Sequence, residues 1–166
     1  MSNVTTLQQK QSLSLAPSNL QEALEFANTI SKSGLIPKDY QGNPGNCIIA
    51  MQWGAEIGLQ PLQAMQSIAV INGRPSIWGD AMLALVRGSG LLEYITEEPT
   101  EDGCTCTLKR RGEPEVGREF TVEDAKRAGL FGKQGPWQQH PKRMMQMRAR
   151  AFALRDVFTD VLRGVH

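Results

Sequence analysis

The sequence predicts an α+β fold: a helix-rich single domain with a small antiparallel β-sheet and a long, basic C-terminal helix. Three observations lead there. Apolar residues recur at helical spacing in several segments that glycines close, short apolar runs flank Asn72-Gly73 as in a hairpin, and a helical period runs from Pro141 as far as Arg163. The chain of 166 residues is long enough to bury a core, since a chain near 150 residues hides about 68–70% of its unfolded surface.

Residues 1–17 are rich in Ser, Gln and Thr with little apolar periodicity, and are expected to form a flexible lead-in to a core domain over 18–166. Ser18 with Gln21 makes a candidate capping box; Leu20, Leu24, Ala27 and Ile30 then run at helical spacing, and Gly34 stops a helix over about 19–32. Asn46 is the expected cap of a mostly apolar, buried helix over 47–57, closed by Gly58. A short helical turn over 62–66 precedes the hairpin, whose strands are placed at 68–71 and 74–78. Asp80 is positioned to cap a helix over 81–87. Strands over 91–98, 104–111 and 115–120, separated by turns containing Pro and Gly, are expected to pair antiparallel. Thr121 with Asp124 starts a short helix that Gly129 ends; a loop over 130–139 then leads into a helix over 141–163, with Pro141 in its first turn.

Several function classes fall away. No run approaches the roughly 18 consecutive apolar residues of a membrane helix, and the first residues lack the basic start and apolar stretch of a signal peptide, so the expected location is cytoplasmic, with no membrane partner. Cys104 and Cys106 share one face of a strand, and with Cys47 they make an odd count, which implies no disulfide framework. His140 and His166 stand at no useful spacing from them, so the cysteines read as small buried thiols and no metal is expected. The chain has no Gly-x-x-x-x-Gly-Lys-Ser/Thr loop, no Gly-x-Ser-x-Gly elbow and no His-Glu-x-x-His helix. The acids between Glu97 and Asp102 fall in a turn-like segment and read as solvated, so neither a catalytic residue nor a cofactor is expected.

Charge is segregated along the chain even though the formal net charge is only +1. Ten of the seventeen acids lie between Glu93 and Asp124, whereas 126–155 holds eight cations and no acid. Such polarity builds a local positive field, and the basic run is expected to need an anionic partner. At about 100° per residue, Met144, Met147, Ala151, Leu154, Phe158 and Leu162 form one stripe, expected to face the core. Arg148 and Arg155 stand together on a neighbouring face, and Arg143 and Arg150 flank the other edge. Guanidinium rails suit a phosphate backbone, and Trp137 and His140, just ahead of the helix, are candidate flat surfaces for unstacked bases. A nucleic-acid binder is therefore the leading expectation. Against it stands a self-assembling structural protein whose acidic β region docks on the basic helix of the next copy.

The run from Gly135 to Met144, Gly-Pro-Trp-Gln-Gln-His-Pro-Lys-Arg-Met, followed by the basic helix, resembles the phage RecT/Redβ single-strand annealing proteins. Cys104-Thr-Cys106 leading into Lys109-Arg110-Arg111 is similar to the family's central strand, and Gly58-Leu-Gln-Pro61 is similar to its Gly-Leu-x-Pro segment. The resemblance spans about Ile48 to Arg155. It implies a protein that binds single-stranded DNA, assembles into rings or filaments, and anneals complementary strands through a duplex intermediate without ATP in phage recombination. By position it places DNA contacts on Trp137, His140, Lys142, Arg143, Arg148 and Arg155; charge adds Lys133, Lys109, Arg110 and Arg111. It also implies a phage exonuclease and a host single-strand binding protein as partners, which in the family engage a region after this core, so that here either such a region follows His166 or the role lies elsewhere. A protein that protects single strands without annealing them is the nearer alternative, and a nuclease a more distant one.

Overall fold

The computed structural model describes residues 15–71, 73–78 and 80–165. Most of the lead-in expected over 1–17, and Asn72 of the hairpin turn, lie outside the described residues. The chain forms two compact units, Met1–Ile49 and Ala50–His166. The first contains α1 (Leu20–Ile30), a 3-10 turn at Lys38–Tyr40 and the opening turns of α2 (Pro44–Glu56). Asn19, not Ser18, caps α1: its extended backbone lets Oδ1 accept the Glu22 N–H at 2.9 Å, while Ser18 donates to the Glu22 carboxylate at 2.7 Å. Leu20 and Leu24, expected on an apolar face, are exposed, and Ala27 is the buried residue of α1. α2 begins earlier than expected because Asn43 Oδ1 accepts the Asn46 N–H at 3.3 Å, which puts Asn46 inside the first turn.

The second unit holds the remaining elements. Gly54 marks where α2 meets α3 (Pro61–Ser67): a Cβ there would sit 2.2 Å from the Ala64 Cβ, so only hydrogen fits. β1 (Ile68–Ile71) and β2 (Arg74–Ile77) pair antiparallel with Ile71 opposite Arg74, and Gly73 takes the positive φ of 76° that the predicted two-residue turn requires. α4 (Ala81–Gly88) leads to β3 (Leu92–Pro99), β4 (Gly103–Arg110) and β5 (Glu115–Thr121), an antiparallel sheet in sequence order. The Thr121–Asp124 capping box starts α5 (Val122–Arg127) with both of its hydrogen bonds made. A short helix, α6 (Pro136–Gln139), interrupts the expected loop before α7 (Pro141–Val157). The class is the predicted one, helix-rich α+β.

The core lies between α7 and the three-stranded sheet. Strand alternation turns Cys104, Cys106 and Leu108 of β4 to one face, where Phe120 of β5 joins them. Met145, Ala149, Ala153 and Leu154 meet that layer; the two alanines bring the helix axis close, and each large side chain fully buried contributes roughly 1.5–3 kcal/mol. Burial pushes the Cys106 thiol up to about 12, so it packs as a neutral group.

Two expectations about this helix are corrected. Of the expected stripe Leu154, Phe158 and Leu162 are buried, but Met144, Met147 and Ala151 are only half buried, and the first turns of the helix pack instead through the neighbouring Met145–Ala149–Ala153 face, whose alanines fit against the sheet. The helix also ends at Val157 instead of Arg163. Arg110 reaches over from β4, donates to the Val157 carbonyl at 3.0 Å, and grips Asp160 with both terminal nitrogens at 2.6 and 2.8 Å. With that carbonyl taken, the chain turns, and Leu162 folds back into the core.

Charge segregation along the chain resolves within the fold, contrary to the expected unpaired cationic run. Arg150, only 6% exposed, forms a two-pronged pair with Glu97 of β3, at 2.7 Å on each prong, and donates to Asp80 at 2.5 Å. Asp80, expected as a helix cap, makes no capping bond and serves this cation instead. Arg143 shares Asp80 at 3.5 Å, Lys142 pairs with Glu101, and Lys126 and Arg127 pair with Glu123 and Asp124 at 2.7 and 3.7 Å. Removing one member of a buried pair strands the other charge. We expect Arg150→Ala to lower the urea-unfolding free energy by about 3 kcal/mol, whereas Arg143→Ala, at the exposed end of the same network, costs under about 1 kcal/mol. Equal costs for the two would remove Arg150 from its anchoring role.

Candidate nucleic-acid interface

With those pairs formed, three cations of the basic run, Lys133, Arg148 and Arg155, have no acidic partner among the described residues. Arg148 and Arg155 stand two turns apart on one face of α7. Packing against the sheet turns that face toward the β1–β2 hairpin. Between helix and hairpin runs an open cleft of about 530 Å³, within the ~300–1,000 Å³ range of small-ligand clefts. Met144, Met147 and Ala151 line its helix side, and Ile71, Ser76 and Trp78 its hairpin side.

The electrostatics of the cleft are unusual for so small an area. The Arg155 Nε is shut off from solvent and has no hydrogen-bond partner. Burial, and after it the neighbouring Arg148 charge, lower the pKa of the Arg155 guanidinium. A guanidinium in protein does not give up its proton, so Arg155 stays charged beside Arg148, and an anion in the cleft would offset the repulsion between them. Among the described residues no carboxylate lines the cleft, and apart from Ser76 and the already paired Arg150 the rest of its walls are apolar. The arrangement therefore suits a ligand with an anionic group beside a flat or apolar body.

Trp78 is the residue that sequence reasoning passed over. It follows β2, where strand alternation buries Ile77 and turns Trp78 outward, leaving it 56% exposed. Its N–H donates to the Ser67 carbonyl at 2.7 Å, which fixes the backbone that presents the ring. The signal was legible as alternation through Ile77. The missing part was knowing that α7 would stand opposite.

The other expected contacts separate. Trp137 is 7% exposed and packs its ring 6.2 Å from that of Phe120, so it is a core residue and offers no platform. The reason is local: Gly135, at a φ of 98°, turns the chain so that α6 lays the indole on the sheet. His140 is exposed ahead of α7, and Lys133 is exposed in the preceding loop. Lys142 and Arg143 are exposed but engaged, with Glu101 and with Asp80 and Gln146. The Lys109–Arg111 cluster is used by the fold: Lys109 pairs with Glu93 at 3.2 Å, Arg110 with Asp160 and Glu113, and Arg111 donates to the Gly90 carbonyl at 3.0 Å. The structure thus brings together Arg148 and Arg155 alone from the expected set.

Neither the models of known protein families nor the curated proteins give a match to this chain.

Two measurements check these assignments. Trp137→Ala should cost about 3–5 kcal/mol of stability, the range for emptying a buried aromatic site; a loss below about 1 kcal/mol would return Trp137 to the surface. The hydrogen bonds from Arg110 hold the Asp160 carboxyl at about 2, below its ordinary 3.8. A depressed carboxyl stabilises the fold above its ordinary value and ceases to do so as pH falls through the folded one. Acid titration of unfolding should therefore show a loss between 3.8 and about 2 that Asp160→Asn lacks; an unchanged acid limb in the variant would contradict the clamp.

Proposed function

We propose that this protein binds single-stranded DNA in the cleft between α7 and the β1–β2 hairpin and, as an oligomer in the cytoplasm of a phage-infected bacterium, anneals complementary strands without ATP. One observation carries the reading: Arg148 and Arg155 side by side in one cleft, with no acidic partner and no carboxylate among the described residues that line it. Annealing requires phosphate repulsion to be neutralised while base edges stay free to pair, and breaks no bond. Paired guanidinium groups gripping backbone meet that need, and sequence is then tested by the second strand. The RecT/Redβ resemblance supports the same reading, and with it an exonuclease and a host single-strand binding protein as partners.

The charge argument of the self-assembling structural alternative is weakened, because Glu97 and Glu101 of the acidic β region pair with Arg150 and Lys142 of the same chain's basic helix. A protective single-strand binder shares the cleft and is separated by rate. Two complementary oligonucleotides bearing a fluorophore and a quencher, mixed without ATP, should pair faster with the protein than without it. In Arg148→Ala/Arg155→Ala the acceleration should be lost, and the slope of log affinity against log salt should flatten by about 1.4, about 0.7 for each phosphate contact removed from a single strand. Tight binding without acceleration would favour the protective binder; a double variant that anneals like wild type would overturn the cleft assignment.

A further inference from the structure

We infer that the same cleft holds one unstacked nucleobase of the strand against Trp78, so that it selects single strands over duplex; this rests on the reading above. An indole more than half exposed beside the cleft keeps an apolar ring face in contact with water, and a flat apolar partner stacked on it would remove that surface from solvent. The opposite wall supplies the thioethers of Met144 and Met147, polarisable groups that adapt to a flat ring. Arg148 and Arg155 line the same cleft, so an anion and an aromatic body are served side by side, the two halves of a nucleotide. With no carboxylate among the described residues of the lining, a cationic ligand has no carboxylate to pair with there, and an uncharged one leaves the Arg148 and Arg155 charges unbalanced.

Selection follows from geometry. A base inside a duplex exposes only its edges, its faces being covered by neighbours in the stack, so it cannot meet the indole without being extracted. A single strand presents base faces at far smaller cost. Among the described residues Ser76 is the one uncharged side chain of the lining with a hydroxyl or amide, so few groups there read base identity and pairing edges stay largely free. The backbone bond from Trp78 to Ser67 holds the platform in place before the strand arrives.

The test uses the full chain and three fluorescein-labelled ligands of equal length: oligothymidylate, an abasic deoxyribose-phosphate oligomer, and duplex. Wild type should bind oligothymidylate roughly 5- to 150-fold more tightly than the abasic oligomer, the range for loss of one stacked base, with duplex also weaker. Trp78→Ala should abolish the preference over the abasic oligomer, and Trp78→Phe should keep most of it. Both variants alter an exposed side chain, and unchanged far-ultraviolet circular dichroism would show that each is folded. Equal affinity of wild type for oligothymidylate and abasic oligomer, or a preference retained in Trp78→Ala, overturns the base slot while leaving backbone binding intact. Failure of wild type to bind any of the strands overturns the proposed function and this inference together. A final arm adds free thymidine monophosphate: weak competition supports a base held as part of a strand, and competition as strong as that of the oligomer overturns it in favour of a free nucleotide.

Discussion

The bidentate grip of Arg150 on Glu97, extended to Asp80, is the interaction on which the rest of this structure depends. A guanidinium withdrawn from water is tolerated only when its donors are met, and here β3 supplies two acceptors and the residue ahead of α4 a third. The Met147 sulfur also lies 3.6 Å from the Arg150 Nη1. Because a buried ion pair gains little net energy over a well-packed apolar substitute, its effect is chiefly on specificity: it permits one rotational setting of α7. In that setting Ala149 and Ala153 meet the sheet, the methionine edge faces the hairpin, and Arg148 and Arg155 open into the cleft.

The clamp at the other end of α7 acts by a related logic. Arg110 satisfies a terminal carbonyl that the helix would otherwise have to extend past, and its fork on Asp160 bends the chain back. The guanidinium also lies 5.4 Å from the centre of the Phe158 ring, so one side chain joins a strand end, a helix end and an aromatic core residue. Helix length in this protein is set by a partner from β4 and not by propensity.

Charge in this chain sorts into two kinds once geometry is known. Cations near the acidic strands are consumed in holding the fold, and Arg148 and Arg155, beside the hairpin, have no acidic partner among the described residues. The distinction matters for function, because a positive charge already paired contributes little to capturing a polyanion, whereas an unpaired, desolvated one has an unmet demand. A count of eight basic residues with no intervening acid overstated the surface available for binding.

Local signals in the sequence determined the element types: the Asn-Gly hairpin, the Thr121–Asp124 capping box, the three antiparallel strands and the helix opening at Pro141 all depend on contacts within a few residues. The arginine pair was also legible, since a seven-residue spacing puts Arg148 and Arg155 on one helix face whatever surrounds it. Tertiary structure alone decided which helix face is buried, where α7 stops, which cations are paired, that Trp137 is core and that Trp78 borders the cleft. Several of these turn on groups 50 or more residues apart, as in Arg150 with Glu97 or Arg110 with Asp160, whereas Lys126 and Arg127 pair within their own short helix and Trp137 meets Phe120 of the strand before it. Periodicity gives a helix its apolar edge but not its partner, and in α7 two adjacent edges were apolar enough to pack. The small side chains of Ala149 and Ala153, and the reach of Arg150 to two distant acids, selected between them.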